Sequence, residues 1–114
     1  MFQIEIKNLK TKARIGISSE ERKKYQSLLV TLRFKYQISY KKKFDDINYL
    51  KNYSSIIKFV NIFIKKSQYR SLERLVFECS KVIEKKYKIK KVFISINKID
   101  VAKRYKCESI SVSK

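Results

Sequence analysis

Residues 28–40, Leu28-Leu29-Val30-Thr31-Leu32-Arg33-Phe34-Lys35-Tyr36-Gln37-Ile38-Ser39-Tyr40, decide how the rest of this chain must fold. Leu28, Val30, Leu32, Phe34, Tyr36, Ile38 and Tyr40 take every second place, with Thr31, Arg33, Lys35, Gln37 and Ser39 between them. A period of two is a strand with one buried face, here a long one. Toward the N-terminus, Phe2, Ile4 and Ile6 alternate with Gln3, Glu5 and Lys7 as a second strand, which residues 14–17 extend or pair with, and residues 18–26 are polar. Toward the C-terminus, residues 41–52 form a polar connection with Asp45 and Asp46 as turn formers. At Tyr53 the period changes. Ile56, Ile57, Val60, Phe63 and Ile64 recur at helical spacing, with Asn52 or Ser54 placed to cap. Ser71 caps a second helix whose apolar face is Leu72, Leu75, Val76, Cys79, Val82 and Ile83. Two further alternating runs, 92–96 and 109–112, complete the order ββααββ. Two helices between two pairs of strands predict an α+β layer: a four-stranded antiparallel sheet with both helices on one face.

Residues 1–114 are the length of a single domain with one core, and a hydrophobic content of 44% with eight Tyr and seven Phe is enough to fill it. Neither a domain linker nor an internal repeat is visible. Histidine is absent, which removes Ser-His and Cys-His nucleophile pairs and imidazole metal sites. Two cysteines and no apolar N-terminal segment fit a reducing cytoplasm, with Cys79 read as a buried small hydrophobe. No apolar run approaches the ~20 residues of a membrane span. The net charge of +19 comes from 29 basic residues, 23 of them Lys, spread over nearly every segment. Such dispersed charge, with little of the Arg that reads phosphate bidentately, matches a composition bias better than a focused nucleic-acid footprint.

Beyond the periodicity stand Gly16, then Glu21 five residues on and Gln26 ten on; Tyr53, eight residues after Asp45; Leu72-Glu73-Arg74-Leu75; and Asn97-Lys98 closing an alternating strand. In order, spacing and context these pieces, running over nearly the whole chain, resemble the dihydroneopterin aldolases. The resemblance implies the tunnelling fold, in which subunits join their sheets into rings. It implies a homo-octamer of two stacked tetramers with sites between subunits, a pterin substrate, no metal and no cofactor.

It also implies roles. Glu73 would accept paired hydrogen bonds from the ring N–H and exocyclic amine of the pterin, a donor pair matched by two carboxylate oxygens, with the Leu72 N–H assisting. Lys98 would act through a bound water as acid and base in retro-aldol cleavage. No Schiff base is needed, because the dihydropterin C=N is itself the electron sink. Tyr53, from a neighbouring subunit, would cover the pterin and help protonate the enol intermediate, with Asn52 lining the same pocket. Glu21 would orient the substrate side chain and the catalytic water, Gly16 would allow a tight bend into its loop, and Gln26 would fix that loop. Without the resemblance, Glu73 would be a helix-dipole carboxylate, Lys98 a solvated strand end, Tyr53 a core aromatic and Glu21 a solvated turn residue.

The chain departs from the family pattern at Ile99, Lys51 and Tyr49, and a charged Lys51 near Tyr53 favours a phosphorylated substrate. The alternative within the fold is the related dihydroneopterin triphosphate epimerase. From another class, a small basic nucleic-acid-binding module would use Tyr36 and Tyr40 on a strand face beside Lys41, Lys42 and Lys43.

Overall fold

The computed structural model describes residues 1–114. Four strands, β1 (Phe2–Ala13), β2 (Gln26–Tyr36), β3 (Val92–Lys98) and β4 (Ser111–Ser113), form one antiparallel sheet in the order β1-β2-β3-β4. Between β2 and β3 run α1 (Tyr53–Lys66) and α2 (Leu72–Tyr87), and a short α3 (Ile99–Arg104) leads from β3 to β4. Leu28, Val30, Leu32 and Phe34 of β2 and Val92, Ile94 and Ile96 of β3 are buried on one sheet face. There they meet Ile56, Val60 and Ile64 of α1 and Leu72, Leu75, Val76, Cys79 and Ile83 of α2, in a single apolar cluster. The register places Leu32 opposite both Ile6 and Ile94, so the alternation of the central strand sets the faces of its neighbours. Burial pushes the Cys79 thiol up to about 12, because a thiolate there would have no solvent.

Local chemistry explains the ends of the elements. β2 stops at Tyr36, short of the predicted Ile38 and Tyr40, because Phe2 and Val92, opposite Tyr36 and Phe34, are where its neighbours begin. Past them a strand has nothing to bond to. Tyr36 and Tyr40 therefore share no strand face: Tyr36 packs half-buried against the core and 6.0 Å from Phe2, while Tyr40 lies beyond the strand. β1 runs unbroken to Ala13 through a bulge, in which Lys7 and Asn8 together oppose Thr31. Asn8 takes a left-handed φ of 56° and its N–H donates to Thr31 Oγ1 at 3.1 Å. That extra residue ends the simple alternation at Lys7 and returns Leu9 to the buried side.

Asn52 caps α1, its Oδ1 accepting from the Ser55 N–H at 3.0 Å, and Ser71 caps α2, accepting from the Arg74 N–H at 3.1 Å. The two helices form an antiparallel hairpin. At the hairpin's open end Ser55 Oγ lies 3.0 Å from the Tyr87 hydroxyl, and Lys51 Nζ donates to the Tyr87 carbonyl at 3.0 Å. α2 ends on Lys88 in the left-handed region, φ 53°, with buried Ile89 following it and both N–H groups donating to the Glu84 carbonyl. α3 has no counterpart in the sequence reading. Six residues are too few to show a period, although Asp100 in its first turn and Lys103 and Arg104 in its last carry the charge order of a helix. No helix is long and apolar enough to cross a membrane.

Candidate active site

The antiparallel packing of α2 on β3 brings three separate segments to one end of the sheet. The Glu84 carboxylate accepts from the Val92 N–H at 2.9 Å, tying the last turns of α2 to the start of β3. The first turn of α2, with Leu72 and Glu73, accordingly lies toward the other end of β3, where Lys98 sits. Lys98 is opposite Leu28, near the beginning of β2, and shares the helix-facing side of the sheet with it. Gln26 opens β2 opposite Ala13, and the loop after Ala13 carries Gly16 and Glu21. The Gly16 N–H donates to the Tyr69 carbonyl at 3.3 Å, which docks this loop on the turn leading into α2.

Each group at this end is held by its own fold. Leu72 is buried and anchors the first turn of α2, leaving the Leu72 and Glu73 N–H groups as first-turn donors without intrahelical acceptors, beside the exposed Glu73 carboxylate. An acceptor pair next to N–H donors suits a flat heterocycle that carries both kinds of group. Lys98 is half-buried and its backbone N–H donates to the Ile110 carbonyl at 2.9 Å. The protein's three ion pairs, Lys23–Glu20, Arg33–Glu5 and Arg74–Glu78, leave its ammonium without a carboxylate partner.

Glu21 and Glu20, adjacent in sequence, differ in surroundings. Glu20 pairs with Lys23 at 3.3 Å in open solvent. Glu21 stands in a single 3-10 turn, where its N–H donates to Ser18 Oγ at 3.2 Å and the Ser18 hydroxyl donates to Glu21 Oε1 at 3.4 Å. Only the first half of a capping box is formed, because the Glu21 carboxylate meets the Ser18 hydroxyl and not the Ser18 N–H; the Ser-x-x-Glu pattern of Ser18-Ser19-Glu20-Glu21 was the signal for this contact. Gly16 serves this loop in a different way from the expected bend. Its φ is not in the left-handed region; instead a Cβ on Gly16 would collide with Glu21 Cβ and lie 2.8 Å from Glu21 Oε2. Gly16 is needed for the room it leaves. Gln26 Nε2 donates to the Ile15 carbonyl, fixing the loop as expected. Arg22, which the sequence did not single out, donates through Nη1 to the Gly16 and Ile17 carbonyls at 2.9 and 3.0 Å. Arg14, also missed, lies with its guanidinium 4.8 Å from the Tyr25 ring centre and its buried Nε unpartnered.

Tyr53 and Asn52 do not join this group within one chain. They begin α1, whose fourteen residues at about 1.5 Å each carry the chain about 20 Å before the turn into α2. Asn52 caps that helix and Tyr53 is 59% exposed, so its ring is not the core aromatic it would be without the family resemblance.

A sequence model described as FolB, dihydroneopterin aldolase, matches residues 4–114. Among solved structures, a putative dihydroneopterin aldolase (FolB) of Vibrio cholerae O1 biovar El Tor superposes with a TM-score of 0.85 at 19% identity, covering 100% of this chain and 97% of the other. The E. coli dihydroneopterin aldolase, solved with neopterin, gives 0.84 at 18% identity over 100% and 99%. The Burkholderia thailendensis enzyme, bound to guanine, gives 0.78 at 13% identity over 99% and 88%. No curated protein matches the sequence. The main elements follow the order ββααββ of the tunnelling fold, with α3 inserted before the last strand. A match that runs from residue 4 to residue 114, over a fold that agrees from end to end, makes this chain a member of the dihydroneopterin aldolase family.

Proposed function

We propose that this protein is a 7,8-dihydroneopterin aldolase, cleaving its substrate to 6-hydroxymethyl-7,8-dihydropterin and glycolaldehyde for folate biosynthesis in the cytoplasm. The observation that carries this reading is the meeting, at one end of the sheet, of Glu73 with the Leu72 N–H, Lys98, and the braced loop of Glu21. Glu73 and the Leu72 N–H hold the pterin ring edge, and Glu21 orients the hydroxylated side chain and a water. Lys98, through that water, takes the 2′-hydroxyl proton. The C1′–C2′ bond breaks, glycolaldehyde leaves, and the electron pair passes into the ring C=N, giving the enol. Protonation of the enol at C1′ completes the product, and here Tyr53 contributes its phenol as both donor and acceptor. The chemistry calls for neither metal nor cofactor.

Tyr53 and Asn52 reach that site from a second copy of the chain, in an octamer of two tetrameric rings. Support for this comes from the separation of the two ends of α1 and from the exposure of Tyr53. The E. coli relative binds neopterin and the Burkholderia relative guanine, two heterocycles with an N–H and an exocyclic amine side by side, the pattern Glu73 is suited to accept.

Anaerobic incubation with 7,8-dihydroneopterin and, separately, with its triphosphate, followed by chromatography, tests the proposal, with Lys98→Ala as control. Release of 6-hydroxymethyl-7,8-dihydropterin and glycolaldehyde, lost in the variant, is the expected result. Epimerised dihydroneopterin triphosphate without cleavage would instead assign the chain to the epimerase branch.

A further inference from the structure

At the end of the molecule opposite Lys98, the sheet, the segment before α1 and the turn after α2 enclose a cleft of about 700 Å³. Six of its thirteen lining residues are basic: Arg33 and Lys35 from β2, Lys51 before α1, and Lys88, Lys90 and Lys91 from the turn. None is acidic, and the basic share is nearly twice that of the chain as a whole, with 29 basic residues in 114. Gathering like charges at a concave place costs free energy unless something offsets it. Two neighbouring carboxylates do little of that. Glu5 lies 3.6 Å from Arg33, with both side chains well exposed, and the Glu84 carboxylate is engaged by the Val92 N–H. The C-terminal dipole of α2 accounts for a cation at Lys88 but not for Arg33, Lys35 or Lys51, which come from other elements.

Three of the six are held in place. The Arg33 guanidinium lies over the Phe93 ring at 4.0 Å, and Lys51 Nζ is held at the Tyr87 carbonyl. The left-handed residue Lys88 turns the chain so that Lys90 and Lys91 follow it along the same wall. Oriented cations around a volume suited to a small molecule, with no acid among them, match a ligand carrying several linked phosphates.

We propose that this cleft, at the end of the chain opposite its own Glu73 and Lys98, binds the polyphosphate chain of a small phosphorylated ligand, and its binding test does not depend on the aldolase assignment. Two sources share that chemistry, a nucleoside triphosphate and a pterin carrying a triphosphate side chain. Inorganic tripolyphosphate is the first probe, titrated calorimetrically at fixed ionic strength because such binding is screened by salt. Saturable binding is expected, weakened at least tenfold in Lys88→Gln/Lys90→Gln/Lys91→Gln and less than twofold in Lys41→Gln/Lys42→Gln/Lys43→Gln, which removes the same charge elsewhere. Equal loss in both triple variants, or no saturable binding, overturns the site. Displacement of the probe by ATP identifies a nucleotide source, and by dihydroneopterin triphosphate a pterin source. Failure of both to displace it overturns the proposal, as does a single-stranded oligonucleotide that outcompetes every small polyphosphate.

Discussion

The two ends of the helical hairpin are built on opposite principles. Where α2 begins, the groups available to a ligand are carboxylates and N–H donors, Glu21, Glu73 and the Leu72 amide, with Lys98 the unpaired cation among them. Where α2 ends, six basic side chains surround a cleft without one acid. In the first end the Glu21 loop is braced by side-chain bonds within itself, Ser18 to Glu21, Arg22 to Gly16 and Ile17, Gln26 to Ile15, and docked by one long-range bond from Gly16 to Tyr69. The second is held by long-range contacts such as Lys51 to Tyr87. The contrast teaches that the chain's uniform basicity hides two environments, one fit for a neutral ring rich in donors and the other for an anion.

Lys98→Ala has the largest expected effect, a loss of at least about a hundredfold in kcat, as removal of a general acid–base group produces. Its fold, followed by circular dichroism, should be unchanged, and a variant that keeps full rate would detach Lys98 from the chemistry. The next test joins the two ends directly. Lys98→Ala and Tyr53→Phe proteins are each assayed alone and then after being unfolded and refolded together in equal amounts. If the site takes Lys98 from one copy and Tyr53 from another, roughly a quarter of the mixed sites carry both native groups and activity returns. If one chain supplies both, it does not.

A smaller effect is expected from Gly16→Ala, whose new methyl must displace Glu21. A loss of about 1–3 kcal/mol in unfolding free energy follows from overpacking, together with a raised KM. Unchanged denaturant midpoint and KM would mean that the loop moves freely. Smallest is Asn52→Ala, which removes the α1 cap at the second end and should cost about 1 kcal/mol by chemical denaturation. A change in KM larger than that loss explains would point to Asn52 contacting ligand.

The parts of this architecture that repeat were legible in the sequence. Leu28, Val30, Leu32 and Phe34 announced the central strand by period, and Ser71 announced α2 by its capping chemistry. Glu21 and Glu73 stood out by their spacing within a recognisable pattern. What could not be read depends on a single residue or on distant partners. The bulge at Lys7 and Asn8 is one inserted residue, and α3 is shorter than two helical turns. The end of β2 is set by where Phe2 and Val92 begin. Arg22 and the lysines of the cleft are invisible in a chain that has basic residues almost everywhere, since only the fold distinguishes a clustered cation from a scattered one.

The chain's one glycine answers a need for side-chain room, while its three left-handed backbone positions fall to Asn8, Lys88 and Lys106. A lysine held in that conformation forgoes about 1 kcal/mol relative to glycine. Lys106, in the turn after α3 and outside both clusters, is therefore a place where thermal tolerance can be engineered into the protein at little risk to ligand binding. Lys88 offers the same gain only at the expense of a charge facing the cleft, so the two residues mark where robustness and recognition separate and where they compete.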